Sequence, residues 1–150
     1  HFLSWSNNLT WKNFDLSVFF RGTFGFDVFN MRKYGMGLQG CGTDNVLRSA
    51  YLEDKNIRTG GGVISSYFLE DGSFIKLENV TLGYNFTPKN RKLLDNMRIY
   101  LSAKNLFTLT GYSGNDPSII DVNGIQPGVD SNSAYPTATQ LSLGVTLRFK

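Results

Sequence analysis

Hydrophobic and polar residues alternate without exception over the C-terminal stretch of the chain. Such alternation predicts a β-strand with one apolar face and one polar face. The stretch is also long: about 9–11 tilted residues cross a bilayer, whereas soluble strands are usually about 5–6 residues. Its apolar residues, of which the first four are expected to face lipid, are Leu141, Leu143, Val145, Leu147 and Phe149. The intervening residues are Gln140, Ser142, Gly144, Thr146 and Arg148, and all of them except the glycine are expected to face a lumen.

The same alternation recurs in four earlier stretches, so the sequence predicts five strands. Only residues 12–13 separate the first two, which indicates a hairpin with long arms. In the third stretch Ile75 and Leu77 are out of phase with Val80, and a bulge near residues 78–79, or an exit from the membrane there, would explain the switch. The predicted strands are about 2–11, 14–24, 73–86, 96–109 and 138–149.

The connections between these strands alternate in length. Residues 12–13 and 87–95 are short turns, whereas residues 25–72 and 110–136 are long segments rich in glycine or proline. Loops of that length are uncommon in compact soluble domains. Short periplasmic turns and long extracellular loops are typical of bacterial outer-membrane barrels. The ends of the strands also carry aromatic residues, as expected of two interfacial girdles: Trp11, Phe14, Tyr84, Phe86 and Phe149 at the periplasmic level, and Phe24, Phe26, Phe74 and Phe107 at the other.

The predicted fold class is therefore all-β, an antiparallel transmembrane β-barrel. Five strands cannot close a barrel in lipid, because open edges leave backbone groups unpaired at several kcal/mol each. We expect the remaining strands to precede His1, which is neither a methionine nor the start of a signal peptide. The alternative is a soluble β-sandwich that binds carbohydrate at a cell surface.

Composition narrows the possible functions. The 150 residues carry a net charge of +3, spread along the chain, so nothing indicates a nucleic-acid surface. One cysteine, Cys41, and one histidine, His1, argue against an internal disulfide, a Cys- or His-based metal site and a histidine-dependent triad. No apolar run reaches the ~20 residues of a membrane-spanning helix. We expect no cofactor.

Acidic pairs in the loops leave an outer-membrane enzyme as a third possibility. Glycosidases use two carboxylates about 5–10 Å apart, a distance that sequence does not reveal. Acids in loops more often form turns or face solvent, so we expect no enzymatic activity. The pairs are Glu53 with Asp54, Glu70 with Asp71, and Asp116 with Asp121.

The two long loops also hold candidate contact residues. Tyrosines there could stack on the sugar rings of a substrate, although tyrosines also anchor loops. The candidates for contact with a substrate or partner are Tyr51, Tyr112, Asp116 and Tyr135. Asp116 precedes a proline and is more typical of a turn than of a metal site. Apolar residues on one helical face predict a short helix over Asn45 to Lys55.

Several motifs occur together in a characteristic order. They are NLTWKNFDL (8–16), FRG (20–22), YFLEDGSFIKL (67–77), NVTLGY (79–84), RIY (98–100), NLF (105–107), YSGNDP (112–117), YP (135–136) and LGVTLRF (143–149). This set resembles the C-terminal region of the SusC/RagA group of TonB-dependent outer-membrane transporters. The chain departs from the family pattern at Lys76 (often Arg), Ser118 (commonly acidic) and Lys150 (usually absent), and it lacks a tryptophan after Asn45.

The resemblance implies the last five strands of a barrel of about 22 strands with a plugged lumen. It implies import of a large nutrient, a glycan or an oligopeptide, across the outer membrane of a Gram-negative bacterium of the Bacteroidota. The implied partners are a SusD-like lipoprotein on the extracellular loops, TonB through a segment outside these residues, and the surrounding lipid. The last strand also resembles the signal that the barrel assembly machinery recognises, through Ser142, Gly144, Leu147 and Phe149.

Overall fold

A computed structural model describes residues 1–37, 45–48, 64–88, 94–119, 128–131 and 135–149. The chain folds into two compact units. We call the first the sheet unit (His1–Thr23, Ile75–Leu109 and Ala138–Lys150) and the second the loop unit (Phe24–Phe74 and Thr110–Thr137). The described residues are mostly β-strand with one short helix, in agreement with the all-β class.

The elements follow one another along the chain as eight strands and a helix within the described ranges. They are β1 (Phe2–Trp11), β2 (Phe14–Thr23), β3 (Asp27–Asn30), α1 (Met31–Met36), β4 (Leu69–Asp71), β5 (Phe74–Phe86), β6 (Leu94–Thr110), β7 (Val129–Asp130) and β8 (Gln140–Phe149). Single 3-10 turns lie at Ser66–Phe68 and Pro117–Ile119. The described helix is too short and too polar to cross a membrane.

The long strands form one five-stranded sheet in the order β1-β2-β5-β6-β8. Each begins and ends within two residues of a stretch in which alternation predicts a strand. The hairpin of β1 and β2 is antiparallel and places Leu9 opposite Leu16. The pair of β6 and β8 is also antiparallel and places Leu101 opposite Leu143. Apolar residues therefore face apolar residues across both pairs, so the alternation of each strand adds up to one continuous apolar face.

This apolar face is exposed. Leu143 has 75 % of its surface accessible and Trp5 has 51 %. The other large hydrophobic residues on it that are more than a third accessible are Leu3, Leu9, Trp11, Phe14, Leu82, Tyr84, Phe86, Ile99, Leu101, Leu141, Val145, Leu147 and Phe149. A β-sandwich buries such a face against a second sheet. The exposed face therefore argues against the soluble sandwich considered above.

Aromatic rings on the apolar face contact one another where β2 begins. Trp11 stacks on Phe14 with 6.4 Å between ring centroids, and Phe14 lies 4.8 Å from Tyr84 of β5. These three residues are among those expected to form the periplasmic girdle. These rings link the three adjacent strands β1, β2 and β5. The short turn at residues 12–13 joins the first two of them.

On the polar face, a chain of contacts runs across four strands. Asp15 of β2 accepts hydrogen bonds from Asn85 of β5 (2.8 Å) and from Nε of Arg98 of β6 (3.1 Å), and it also forms an ion pair with the terminal Nη2 of Arg98. The guanidinium carbon of Arg98 lies 5.2 Å from the ring centroid of Tyr100. The Tyr100 ring lies against Gly144 of β8, directly opposite in register. We call these five residues the polar-face network.

The middle of β5 shows the phase change that its sequence predicts. Glu78 accepts a hydrogen bond from Nε of Arg21 at 3.0 Å, and the next residue, Asn79, accepts one from Ser102 at 3.3 Å. Arg21 lies on the same face of β2 as Asp15, and Ser102 on the same face of β6 as Arg98. Two consecutive side chains thus reach the polar face, as they do at a bulge.

Substitution of Gly144 by alanine tests the polar-face network. A methyl group there would overlap the Tyr100 ring, so we expect a loss of about 1–3 kcal/mol in the free energy of unfolding. The measurement is denaturant unfolding of the full-length protein in detergent.

Gly111→Ala is the matched control, because among the described residues no atom beyond the two chain neighbours of Gly111 lies within 4 Å of a methyl group placed there. In a Tyr100→Ala background, where the ring is absent, Gly144→Ala should cost little further stability. If the cost of Gly144→Ala is the same with and without the Tyr100 ring, the proposed contact is not its cause.

Candidate functional site

The loop unit is built around a small three-stranded sheet in the order β4-β3-β7. β3 runs antiparallel to β4, with Val28 opposite Glu70, and parallel to β7, with Phe29 opposite Val129. Val28 is completely buried at its centre. These strands were not predicted, because two to four residues are too few to show alternation. They form a regular scaffold for the described part of the loop unit.

Aromatic side chains supply the core of the loop unit beside this sheet. The rings of Phe29, Tyr34 and Phe68 contact each other in all three pairings, at 5.9, 6.0 and 5.2 Å between centroids. Phe68, within the YFLEDGS motif, is 2 % exposed. Tyr34 belongs to α1, so this contact fixes the helix on the sheet.

The first turn of α1 is capped by Asn30, the last residue of β3. Its side-chain oxygen accepts a hydrogen bond from the backbone N–H of Lys33 at 2.9 Å. An asparagine at this position satisfies one of the amides that a helix start leaves unpaired. The cap places Arg32 and Lys33 directly after the sheet, where both side chains line a cleft.

The cleft has a volume of about 590 Å³ and lies within the loop unit. This size falls in the range of about 300–1,000 Å³ that is usual for small-molecule sites. Its side chains come from the end of β3, from α1, from residues 47–48, from β4 and from the YSGNDP motif. The polar and charged ones that matter here are Asn30, Arg32, Lys33, Arg48, Glu70 and Ser113.

Glu70 is the centre of the hydrogen bonding in the cleft. It accepts hydrogen bonds from the backbone N–H of Ser113 at 3.0 Å and from the Ser113 hydroxyl at 2.9 Å. It also forms an ion pair with Lys33 at 3.2 Å and a hydrogen bond with Asn30 at 3.4 Å. Burial acts to raise the pKa of Glu70, but the hydrogen bonds from Ser113 and Lys33 outweigh it, and the net pKa lies below its usual value. Glu70 is therefore a carboxylate at neutral pH.

The other charges of the cleft differ in how fully they are paired. Asp71 accepts hydrogen bonds from both the backbone N–H and the hydroxyl of Ser73, at 2.9 and 2.6 Å, and these lower its pKa. The exposed Arg32 donates to the neutral amide oxygen of Asn115 at 3.2 Å. Within the described ranges, Arg48 forms no ion pair. The cleft thus holds two satisfied carboxylates and two guanidinium groups without carboxylate partners among the described residues.

The YSGNDP motif is a folded element of the same unit. Tyr112 is 6 % exposed, and its hydroxyl donates to Asp130 at 2.6 Å. Its burial, with the nearby Asp130 carboxylate, raises the pKa of Tyr112, so the hydroxyl stays protonated. A methyl group at Gly114 would overlap the Tyr112 ring. The motif therefore needs a glycine where the ring crosses the backbone.

Asp116 holds the next turn of the chain. It accepts hydrogen bonds from the backbone N–H and hydroxyl of Ser118, at 2.9 and 2.6 Å, and from the hydroxyl of Thr137 at 2.6 Å. The serine that departs from the family pattern thus supplies two of the donors for Asp116. In the part of the chain that the structure describes, no three acidic, histidine or cysteine side chains group as metal ligands would.

The four candidate contact residues differ in their surroundings. Tyr112 and Asp116 are both buried and hydrogen-bonded, whereas Tyr135 is 84 % exposed. Tyr51 lies outside the described residues, as does most of the helix expected over Asn45 to Lys55, of which residues 45–48 are described and not helical. Contact of these four with a substrate or partner stays a prediction. Arg32, Lys33 and Arg48 were not selected from the sequence, because cations spaced along a glycine-rich loop show no pattern.

Known proteins resemble this chain over nearly its whole length. TonB-dependent receptor P3 of Formosa agariphila is 27 % identical over 98 % of the chain, and TonB-dependent receptor SusC of Bacteroides thetaiotaomicron is 28 % identical over 96 %. The chain spans 16 % and 14 % of those two proteins. No protein-family model matches it.

Solved structures give the same result. The RagAB peptide transporter superposes on 92 % of the chain with a TM-score of 0.71 and 26 % identity, and the chain covers 16 % of the matched protein. The RagAB peptide importer in its open-open state matches 96 % of the chain, again with a TM-score of 0.71, and at 24 % identity it supports the fold alone. The family resemblance inferred from the sequence motifs is confirmed.

The pKa of Glu70 predicts a local dependence on pH. Because its folded pKa is lowered, Glu70 stabilises the cleft above its ordinary value of 4.5, and this contribution disappears as the pH falls through the folded pKa. We expect the Ser113 amide to lose protection from hydrogen exchange over that acidic range, after correction for the intrinsic exchange rate.

Two variants complete this experiment. Glu70→Ala, which removes both acceptor oxygens, should show low protection of the Ser113 amide already at neutral pH and little further change on acidification. Glu78→Ala, which removes a carboxylate of the sheet unit, should leave the Ser113 amide as in the wild type. Unchanged protection in Glu70→Ala would show that this carboxylate does not hold the Ser113 segment.

Proposed function

We propose, from its resemblance to SusC/RagA-type TonB-dependent receptors over nearly the whole length, that this chain forms the last five strands of an outer-membrane nutrient transporter. The transporter would import a large nutrient, a glycan or an oligopeptide, into the periplasm of a member of the Bacteroidota. The chain itself would act as wall and loops of the transporter and would carry out no chemistry.

The exposed apolar face of the five-stranded sheet is the observation that supports this proposal most strongly. In water, a contiguous apolar face of this kind favours aggregation, whereas hydrocarbon solvates it. The strands are also long enough to cross a bilayer at the tilt of a barrel wall. In this arrangement Leu141, Leu143, Val145 and Leu147 contact lipid, and the polar-face network lines the lumen.

The loop unit supports the extracellular side of the proposal. Its sheet and aromatic core make the described parts of the two long connections a folded structure that can present a surface. This chain is similar to SusC and to the RagAB transporter. By analogy with them, we propose that a SusD-like lipoprotein docks on these loops. Coupling to TonB would come from a part of the transporter outside this chain.

The terminal strand has a second proposed role during assembly. Ser142, Gly144, Leu147 and Phe149 would be recognised by the barrel assembly machinery before the barrel closes. β8 is an outer strand of the sheet, so its outer edge has hydrogen-bonding groups available for such pairing. The requirement for Gly144 would then be shared between this recognition and the contact with Tyr100.

Uptake by living cells tests the proposed function. Cells of the source bacterium that lack the gene should fail to take up at least one oligosaccharide or oligopeptide from a panel, and complementation should restore that uptake. Uptake should also stop when TonB is removed. Normal uptake of every compound in both strains, or recovery of the protein in the soluble fraction, would contradict the proposal.

A pair of arginine substitutions tests which face of β8 contacts lipid. Leu143→Arg in the full-length protein should cost about 2–4 kcal/mol of stability, because it places a charge in the bilayer near its middle. Thr146→Arg, on the opposite face of the same strand, should cost much less. Denaturant unfolding in lipid vesicles measures both, and equal losses would refute the assigned faces.

A further inference from the structure

We infer that the cleft of the loop unit binds a carboxylate group of the transported nutrient through Arg32 and Arg48. This inference rests on the proposed function and names the chemical class that the extracellular side would select.

The lining residues of the cleft include three cations and two carboxylates. Both carboxylates are already committed: Glu70 to Ser113, Asn30 and Lys33, and Asp71 to Ser73. Lys33 is committed too, since its ammonium group lies 3.2 Å from Glu70 and 4.4 Å from the ring centroid of Tyr67. A ligand that displaced these contacts would leave charged groups without partners, which is costly. The paired groups of Glu70, Asp71 and Lys33 therefore hold the structure of the cleft and are not available to bind a ligand.

The two arginines of the cleft, by contrast, have no carboxylate partner among the described residues. Arg32 donates one of its N–H groups to a neutral side chain, and Arg48 forms no ion pair within the described ranges. Both are exposed and line the same cleft. A guanidinium group presents several N–H donors in a planar fork that matches the two oxygens of a carboxylate. The groups of the cleft that have N–H donors available are thus the two guanidinium cations, and their geometry suits a carboxylate.

The scaffold keeps at least one of these cations in position. Arg32 is the second residue of α1, a helix held by the Asn30 cap and by the contact of Tyr34 with Phe68. Its guanidinium is further positioned by Asn115 of the YSGNDP motif. A pre-positioned donor loses less conformational entropy on binding than a mobile one.

A carboxylate can come from two sources, an acidic oligosaccharide or an acidic peptide. Binding of trigalacturonate, triglutamate and the neutral sugar maltotriose by the purified full-length protein in detergent separates them. We expect one or both acidic probes to bind and maltotriose to bind much more weakly, with affinity that falls as salt rises. The acidic probe that binds identifies the source.

The double variant Arg32→Gln with Arg48→Gln should weaken binding of the acidic probe by about tenfold or more. Lys12→Gln, which removes an exposed cation from the short turn between β1 and β2, is the matched control and should bind as the wild type does. Replacing both arginines by lysine keeps the charge but removes the planar fork, so binding should be intermediate. Protection of the Ser113 amide verifies that the cleft of each variant is folded.

Two results would overturn the inference: acidic probes that bind no better than maltotriose, or a folded double variant that binds them as tightly as the wild type. Either result leaves the proposed function standing as long as TonB-dependent uptake is observed. Absence of that uptake would contradict the proposed function instead, whatever the probes do.

Discussion

The apolar face of the five-stranded sheet is the constraint on which the rest of the structure depends. Each leucine or valine moved from water into an apolar environment gains about 1.5–3 kcal/mol, and this face carries many such residues. That gain decides which surroundings the chain can tolerate. Side chains such as Leu143 and Leu101 lie opposite each other in register and leave their outer surfaces uncovered, so the face is continuous, and we propose that hydrocarbon covers it.

The polar face of the sheet has a different role, because its contacts hold neighbouring strands in register. Side chains on the outer face have no packed layer to hold them, so specificity comes from polar contacts and close backbone approach. Asp15, Asn85 and Arg98 link three strands through charge and hydrogen bonds, and Gly144 admits the Tyr100 ring against the fourth. A slip of one residue would turn Gly144 to the other face and leave Tyr100 opposite a side chain.

The long strands could be predicted from the sequence because alternation over ten or more residues leaves one consistent phase, as β8 shows from Leu141 to Phe149. The irregularity at Glu78 and Asn79 was also visible, since Ile75 and Val80 could not share a face without it. The loop unit was not predictable in this way. Its strands are too short for periodicity, and the partnership of Glu70 with Ser113 and Lys33 joins residues far apart in sequence. The motifs marked where the cleft lies without indicating its chemistry.

Site-directed spin labelling along β8 tests the central claim most directly. Single cysteines at positions 140 to 148, in a Cys41→Ser background of the full-length protein in lipid vesicles, would carry nitroxide labels. Accessibility to oxygen, which partitions into lipid, should be high at positions 141, 143, 145 and 147, and accessibility to a polar nickel chelate should be high at the positions between them. Labels that all show the same accessibility, or that are shielded from both reagents at every position, would contradict the account.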